Sequence, residues 1–247
     1  MKRALLFIAL ACCVPASEKA PPAGAAGFDT APSPATRGEP YVTNDGWTVT
    51  IDKLILQVTV AAQPSSRGYG ETEPYIFDAR SPQRIFVRAL PTGPALLRID
   101  WYGRYVDETD RNRDPFENIE ALGVTRDDAR RFLHSPDDAK AVPYSAGPSM
   151  ELATTGTNGG RTVHLDLAVN VTSVANYKPT SEVTGYSVTI PEDGIDVVPL
   201  PLGAEALFVT FADIAAHDGD GDGIVTVQEL GTDLVELKKR LATLISN

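Results

Sequence analysis

The sequence predicts a mainly β protein with some α structure: an antiparallel β-sandwich-like domain followed by a C-terminal helix-loop-helix. Apolar and polar residues alternate in several short segments between residues 41 and 202, which is the pattern of strands that bury one face. Turns rich in proline, glycine and asparagine separate these segments, as is typical of antiparallel sheets. From residue 203 onward, apolar residues recur at helical spacing on both sides of an aspartate-rich loop.

The first sixteen residues have the features of a signal peptide for export. Two basic residues precede an apolar run over residues 4–14, which is too short to anchor the chain across a bilayer. Residues 9–12 resemble a bacterial lipobox, with Ala9 where leucine is usual, and this route would lipidate Cys12. Cleavage before Ser17 is the alternative, and it would remove both cysteines. We favour the lipoprotein route, which predicts an outer-membrane lipoprotein of the cell envelope; a periplasmic or secreted protein is the alternative.

The composition changes three more times along the chain, and these changes define the predicted regions. Residues 17–40 are rich in proline and alanine and are expected to form a tether without a core of their own. Residues 41–202 form the predicted β-rich domain, and residues 203–247 form the predicted helix-loop-helix. Lipidation at residue 12 would be the only link to a membrane.

The β-rich domain is expected to contain short strands and one helix. Trp101 is expected to be a core residue, and residues 156–160 are expected to turn between two strands. Thr125 is expected to cap a helix, because acidic residues follow it in the first turn. The expected strands cover residues 47–60, 75–77, 84–89, 96–105, 162–172, 185–190 and 195–199.

The overall composition excludes several kinds of partner and chemistry. The chain has 33 acidic and 22 basic residues, which gives a formal charge of −11. Because nucleic acid is itself negatively charged, it is not an expected partner. The two cysteines are adjacent, Cys12 and Cys13, and lie in the first apolar run. The rest of the chain has no thiol, so a disulfide scaffold, a cysteine zinc site and a cysteine nucleophile are excluded.

Residues 218–229, DGDGDGIVTVQE, carry the sharpest motif of the chain. Calcium prefers about six to eight oxygen ligands in a flexible shell, which a loop of this length can supply. Three aspartates alternate with glycines, so their carboxylates converge, and Gly223 permits the sharp bend after the third. Every slot of the pattern D-x-[DN]-x-[DN]-G-x₅-E is filled. The alternative is an aspartate- and glycine-rich turn that binds nothing.

This loop and its apolar flanks resemble the EF-hand family of calcium-binding proteins. The resemblance covers residues 203–247 and implies a Ca²⁺ site rather than a magnesium site, because magnesium demands a tighter octahedron. A dockerin would need two such segments, and the chain has one. The metal ligands that the resemblance implies are Asp218, Asp220, Asp222, Ile224 through its backbone carbonyl, Thr226 and Glu229.

The flanks predict a helix over residues 205–217 before the loop and a second helix after it. Gly231 is expected to interrupt the second helix, which then restarts at Asp233 with Glu236 completing a capping box. In the family, such loops usually pair through a short strand, which here is residues 224–226, and the chain has no second loop. We therefore expect this strand to dock on the β-rich domain, with Val225 buried within one monomeric chain.

These features predict a calcium-binding exported protein with a structural or interaction role, and not an enzyme. The alternative is a secreted enzyme, or a module that binds carbohydrate or peptide, whose loop is only structural. The three histidines, His134, His164 and His217, are far apart in sequence and show no ligand spacing. The sequence also lacks a nucleophile elbow G-x-S-x-G. It names no protein or glycan partner.

Overall fold

A computed structural model describes residues 24–65, 71–101, 120–133, 148–171 and 185–245. Several of the sequence predictions lie outside these ranges: the signal peptide, the lipidation site Cys12, the first part of the tether, and His134. Among the described residues, no helix is both long and apolar enough to cross a membrane.

The described chain is mostly β, with short helices concentrated at its C-terminal end. The strands are β1 (Ala25–Pro32), β2 (Tyr41–Val42), β3 (Thr48–Pro64), β4 (Glu71–Asp78), β5 (Arg84–Val87), β6 (Gly93–Trp101), β7 (Glu120–Leu122), β8 (Met150–Asn158), β9 (Arg161–Val169), β10 (Tyr186–Ile190), β11 (Ile195–Leu202) and β12 (Ile224–Val225). The α-helices are α1 (Arg126–Leu133), α2 (Ala212–Ala215), α3 (Val227–Leu230) and α4 (Leu234–Ala242). Single 3₁₀ turns occupy Ala204–Ala206, Gly231–Asp233 and Thr243–Ile245.

The strands form one sheet of nine strands and one of three, and both sheets are mixed. The 17-residue strand β3 organises the larger sheet. Its residues 48–56 pair with β8, and its residues 58–64 pair with β6. Among the described strands, β1 runs parallel to β11, β4 parallel to β7 and β9 parallel to β12. The expectation of a purely antiparallel arrangement is therefore wrong, because strands far apart in sequence meet side by side.

Most of the expected strands are present near their predicted positions. The alternating segment after Trp47 forms a single strand, β3, and the segments that begin near residues 75, 84, 96, 162, 185 and 195 form strands as well. The hairpin between β8 and β9 turns at Gly159 and Gly160, which have φ angles of 55° and 86°. Helix α1 begins after Thr125, whose hydroxyl accepts the amide N–H of Asp128 at 3.1 Å.

Strand β1 corrects the prediction that residues 17–40 form a tether. Residues 25–32 pair with β11 on one side and β5 on the other. A Cβ on Gly27 would lie 2.2 Å from the carbonyl oxygen of Ile85, so only glycine permits this close approach between strands. The small residues that suggested a linker instead allow three strands to pack tightly, and Phe28 supplies the buried anchor.

No bounds were predicted for strand β8, in the middle of the larger sheet, although a strand was expected before the turn at residues 156–160. Its sequence, MELATTGTN, contains threonines and a glutamate where apolar residues would mark a buried strand. Thr154 and Glu151 are nevertheless buried, with 1% and 3% of their surface exposed. Lys53 makes the burial of Glu151 tolerable, because its ammonium group lies 2.9 Å from the Glu151 carboxylate and 2.8 Å from that of Asp128.

One continuous hydrophobic core joins both sheets to the C-terminal segment. Trp101 is buried, as expected, and its indole N–H donates to the carbonyl oxygen of Ala242 at 3.1 Å. From the C-terminal segment, Leu207, Phe211, Ile214, Leu237 and Leu241 are buried in this core. The prediction that the C-terminal segment docks on the β-rich domain is confirmed.

Replacing Phe28 with alanine tests the role of β1. Phe28 has no exposed surface and packs edge-to-face against Tyr186, with ring centroids 5.4 Å apart. We expect Phe28→Ala to lower the free energy of unfolding by about 3–5 kcal/mol in urea titrations. Glu39→Ala is the control, because the Glu39 side chain is 63% exposed, and it should change the free energy by about 0.5 kcal/mol at most. Equal stability of Phe28→Ala and the wild type would contradict a packed strand.

Candidate metal site

The loop between α2 and α3 is folded by hydrogen bonds from its own backbone to its aspartates. The Gly223 N–H donates to Asp218 Oδ1 at 3.1 Å, and the Ile224 N–H donates to Asp222 Oδ1 at 2.7 Å. A third bond joins the Asp222 N–H to Asp220 Oδ1 at 3.2 Å. Gly223 has a φ angle of 82°, which a residue with a Cβ would adopt only under strain, as the motif predicted. The aspartates therefore shape the loop that presents them.

These bonds bring the three aspartate carboxylates together. One oxygen atom each from Asp218, Asp220 and Asp222 lies within 4.8 Å of the other two. The Asp218 side chain is only 4% exposed, whereas Asp220 and Asp222 face solvent. The sequence prediction that these side chains converge is confirmed for the three aspartates.

Arg161, at the start of β9, holds Asp218 from outside the loop. Its guanidinium group lies 3.0 Å from Asp218 Oδ2 and also donates to the carbonyl oxygen of Ala215 at 2.8 Å. The hydrogen bond from Arg161, together with the backbone N–H of Gly223, lowers the pKa of Asp218. This arginine could not be identified from the sequence, because nothing in the local sequence connects residue 161 with residue 218.

Glu229 is held at the start of α3. Its carboxylate accepts the backbone N–H of Thr226 at 2.8 Å and the Thr226 hydroxyl at 2.9 Å, while its own amide donates to that hydroxyl. This reciprocal capping box, with a further bond from the Gly219 amide, lowers the pKa of Glu229, and the neighbouring charge of Asp218 opposes that shift. The predicted capping box at Asp233 is wrong, because Asp233 makes no side-chain cap bond.

The helices around the loop are shorter than predicted. The expected entering helix over residues 205–217 consists only of the 3₁₀ turn and the four-residue α2. The intervening chain leaves the helical path because Leu207 and Phe211 are buried in the core. The Phe211 ring packs directly over Gly156, where an added Cβ would lie 2.2 Å from Cε1 of the ring. The exit helix stops at Gly231, which has a φ angle of 52°, as predicted, and resumes at Leu234.

The short strand within the loop docks on the β-rich domain, and this prediction is confirmed. β12 pairs in parallel with β9, with Val225 opposite Leu165. Val225 has no exposed surface, whereas Ile224 is 45% exposed. The His164 N–H also donates to the carbonyl oxygen of Gly223 at 2.8 Å, so the sheet bonds directly to the loop. The larger sheet therefore supplies the partner that this short strand needs.

A second contact fixes the segment that enters the loop. Asp45 Oδ2 accepts the backbone N–H groups of Phe211 and Ala212 at 3.0 and 2.7 Å. Asp45 thus satisfies free amides at the start of α2 from a turn far away in the sequence. Burial raises the pKa of Asp45, but the hydrogen bonds from Thr43, Ala212 and Phe211 together lower it. The sequence around Asp45 indicates only a turn and gives no signal of this contact.

The remaining described histidines form no metal site with the loop. His217 packs beside it, with Nδ1 3.1 Å from the carbonyl oxygen of Glu229 and Nε2 3.1 Å from Asp233. His164 lies on the exposed face of β9 and bonds through Nδ1 to the Thr155 hydroxyl at 2.9 Å.

The Thr155 hydroxyl itself donates to Asp52 at 2.6 Å. In a nucleophilic triad the imidazole lies between the carboxylate and the hydroxyl and accepts the hydroxyl proton. Here the hydroxyl is central and the imidazole is not, so this chain of side chains does not have the arrangement of a nucleophilic triad.

The donor set suits a hard divalent cation. The loop offers carboxylate, hydroxyl and backbone carbonyl oxygens and no nitrogen or sulfur ligand, which is the preference of calcium. Among the described residues, this is the one group of three or more acidic or histidine side chains close enough together to share an ion. Comparisons with protein-family models, with curated proteins and with solved structures found no match for this chain. The geometry and the sequence motif therefore carry the functional argument.

The docking of β12 can be tested by placing a charge on it. Val225→Asp would bury an unpaired carboxylate, and we expect the whole protein to lose about 3 kcal/mol or more in urea unfolding. The neighbouring Ile224→Asp is the matched control and should cost much less, because Ile224 is 45% exposed. Sedimentation should report a monomer with and without calcium. A calcium-dependent dimer that Val225→Asp separates into folded monomers would contradict docking within one chain.

The contact from Asp45 predicts a dependence of stability on pH. The folded pKa lies below the ordinary value of 3.8, so the stabilisation is complete above that value and is lost as the pH falls through the lowered pKa. We expect Asp45→Ala to cost about 1 kcal/mol at pH 7, as measured by urea unfolding. The difference from the wild type should stay constant down to about pH 4 and then shrink. A difference that grew towards acid pH would contradict this assignment.

Proposed function

We propose that this protein is a calcium-binding exported lipoprotein whose C-terminal loop is an EF-hand loop, and that Ca²⁺ stabilises the structure around it. The observation that carries the proposal is the convergence of three aspartate carboxylates, within 4.8 Å of one another, in a loop that fills every slot of the family pattern. We assign the protein a structural or interaction role and not a catalytic one.

The residues that would hold the ion are those that the family resemblance implies. Asp218, Asp220 and Asp222 would bind through carboxylates, and Ile224 and Thr226 would contribute backbone and side-chain oxygens. Glu229 would add the last carboxylate. Its side chain accepts a hydrogen bond from the Gly219 amide and interacts with the charge of Asp218, so it already lies close to the start of the loop. Calcium fits this flexible set of about seven oxygens better than magnesium does.

In this proposal calcium is a permanent structural component rather than a signal. Four carboxylates within one loop repel one another without a cation, and bound calcium would remove that repulsion. The loop is bonded to β9 and continuous with the core, so its stabilisation is passed to the β-rich domain. At a calcium concentration one hundred times Kd, binding would add about 2.7 kcal/mol to the stability of the folded chain.

The export part of the proposal derives from the N-terminal sequence. If Cys12 is lipidated, residues 13–24 link it to β1, which begins at Ala25. An extended segment of this length reaches about 40 Å at most. The anchor would therefore keep the folded domain close to the membrane surface, on a tether shorter than the composition predicted.

Calcium titration of the wild type and of Glu229→Gln tests the proposal. We expect calorimetry of the wild type to give a Kd between about 10⁻³ and 10⁻⁵ M, as in extracellular modules, and a melting temperature that falls when a chelator is added. Glu229→Gln removes one ligand charge and should weaken binding by about tenfold or more. Glu236→Gln is the matched control, because Glu236 is exposed, bonds to Lys239 and lies outside the loop.

Three results would contradict the proposal. The first is the absence of calcium binding by the wild type. The second is equal affinity of the wild type and Glu229→Gln. The third is a melting temperature that the chelator leaves unchanged, which would reject the structural role of the ion.

A further inference from the structure

We propose that Arg161 is a built-in counter-cation of the calcium loop: it holds the loop in place without calcium and lowers the loop's affinity for calcium. This inference rests on the proposed calcium site and adds a residue outside the motif that regulates it.

The position of Arg161 is the first argument. Its guanidinium group lies 3.0 Å from Oδ2 of Asp218, the first residue of the loop, and the other oxygen of that carboxylate accepts the Gly223 N–H at 3.1 Å. Both Asp218 oxygens are therefore engaged inside the protein, and the Asp218 side chain is only 4% exposed. Arg161 also donates to the carbonyl oxygen of Ala215 at 2.8 Å, which ties the loop to the end of α2.

The rigidity of the neighbouring strand is the second argument. Arg161 begins β9, and His164 and Leu165 of the same strand are bonded to or paired with the second half of the loop. A Cβ on Gly223 would lie 3.2 Å from the carbonyl oxygen of Thr162, so the strand contacts the loop there as well. The guanidinium group of Arg161 is held by bonds to both Asp218 and the Ala215 carbonyl oxygen, so its charge lies beside the loop in the folded chain.

The charge of the loop is the third argument. Residues 218–229 contain four carboxylates and no basic residue. Among the residues that the structure describes, Arg161 is the basic side chain that forms an ion pair with one of those four carboxylates. It reduces their mutual repulsion when calcium is absent. When calcium is present, the same positive charge repels the ion, and this repulsion is what lowers the affinity.

Substituting Arg161 separates these two effects. Arg161→Met removes the charge and keeps an apolar stem, so we expect calcium to bind about three- to tenfold more tightly in calorimetry. In the presence of chelator the same variant should melt about 1–3 °C below the wild type, because the cation that offsets the loop charge is lost. Arg161→Lys retains the positive charge and should bind calcium with nearly wild-type affinity.

Arg240→Met is the matched control. Arg240 forms an ion pair of 2.8 Å with Asp213 in the same C-terminal segment, but Asp213 is not a member of the loop. This variant should leave the calcium affinity unchanged. Raising the salt concentration should reduce the difference between Arg161→Met and the wild type, since the guanidinium group is half-exposed and salt screens its charge.

Each result supports or overturns the inference. Unchanged or weaker calcium binding by Arg161→Met would overturn the inference. The calcium site itself would still be supported if the wild type bound calcium and Glu229→Gln lost that binding. If Arg161→Met failed to fold, Arg161→Gln would serve as the second neutral variant: tighter calcium binding would support the inference, and unchanged or weaker binding would overturn it. A wild type that bound no calcium would reject the site and this inference together.

Discussion

The parallel pairing of β12 with β9 is the contact on which the arrangement of the loop depends. It involves only two residues of β12, yet it buries Val225 completely and aligns the middle of the loop with the edge of a nine-stranded sheet. A strand this short has no stability of its own, so the sheet must supply it. The hydrogen bond between His164 and Gly223 extends the same alignment into the loop, to the residue that makes its sharp bend.

The loop is thus anchored to the main core and is not an independent module. Asp45 fixes the chain that enters the loop, β9 fixes its second half, and Trp101 bonds to the last helix through Ala242. These three contacts come from separate parts of the β-rich domain. A cation that ordered the loop would therefore act on a structure that is already anchored on three sides, which fits a role in stability better than a role in switching.

Close backbone approach is a recurring device in this fold. Gly27 allows β1 to lie against β5, and Gly156 leaves room for the ring of Phe211. In both places a single methyl group would collide with its neighbour at about 2 Å. The role of these glycines cannot be predicted from composition, because it depends on the residues that lie opposite them in the folded chain.

The alternating strands, the capped helix α1, the break at Gly231 and the convergence of the three aspartates could be predicted from sequence, because each depends on residues close together in the chain. The sequence also indicated that the short strand within the loop needed a partner, since its apolar Val225 had none nearby. Only the folded structure identifies the partners. It made a strand of the alanine- and glycine-rich residues 25–32, buried the polar strand β8 beside Lys53, shortened the helix before the loop, and placed Arg161 and Asp45 at the loop and its entrance. These outcomes follow from contacts between residues far apart in sequence, which no local pattern of hydrophobicity or charge encodes.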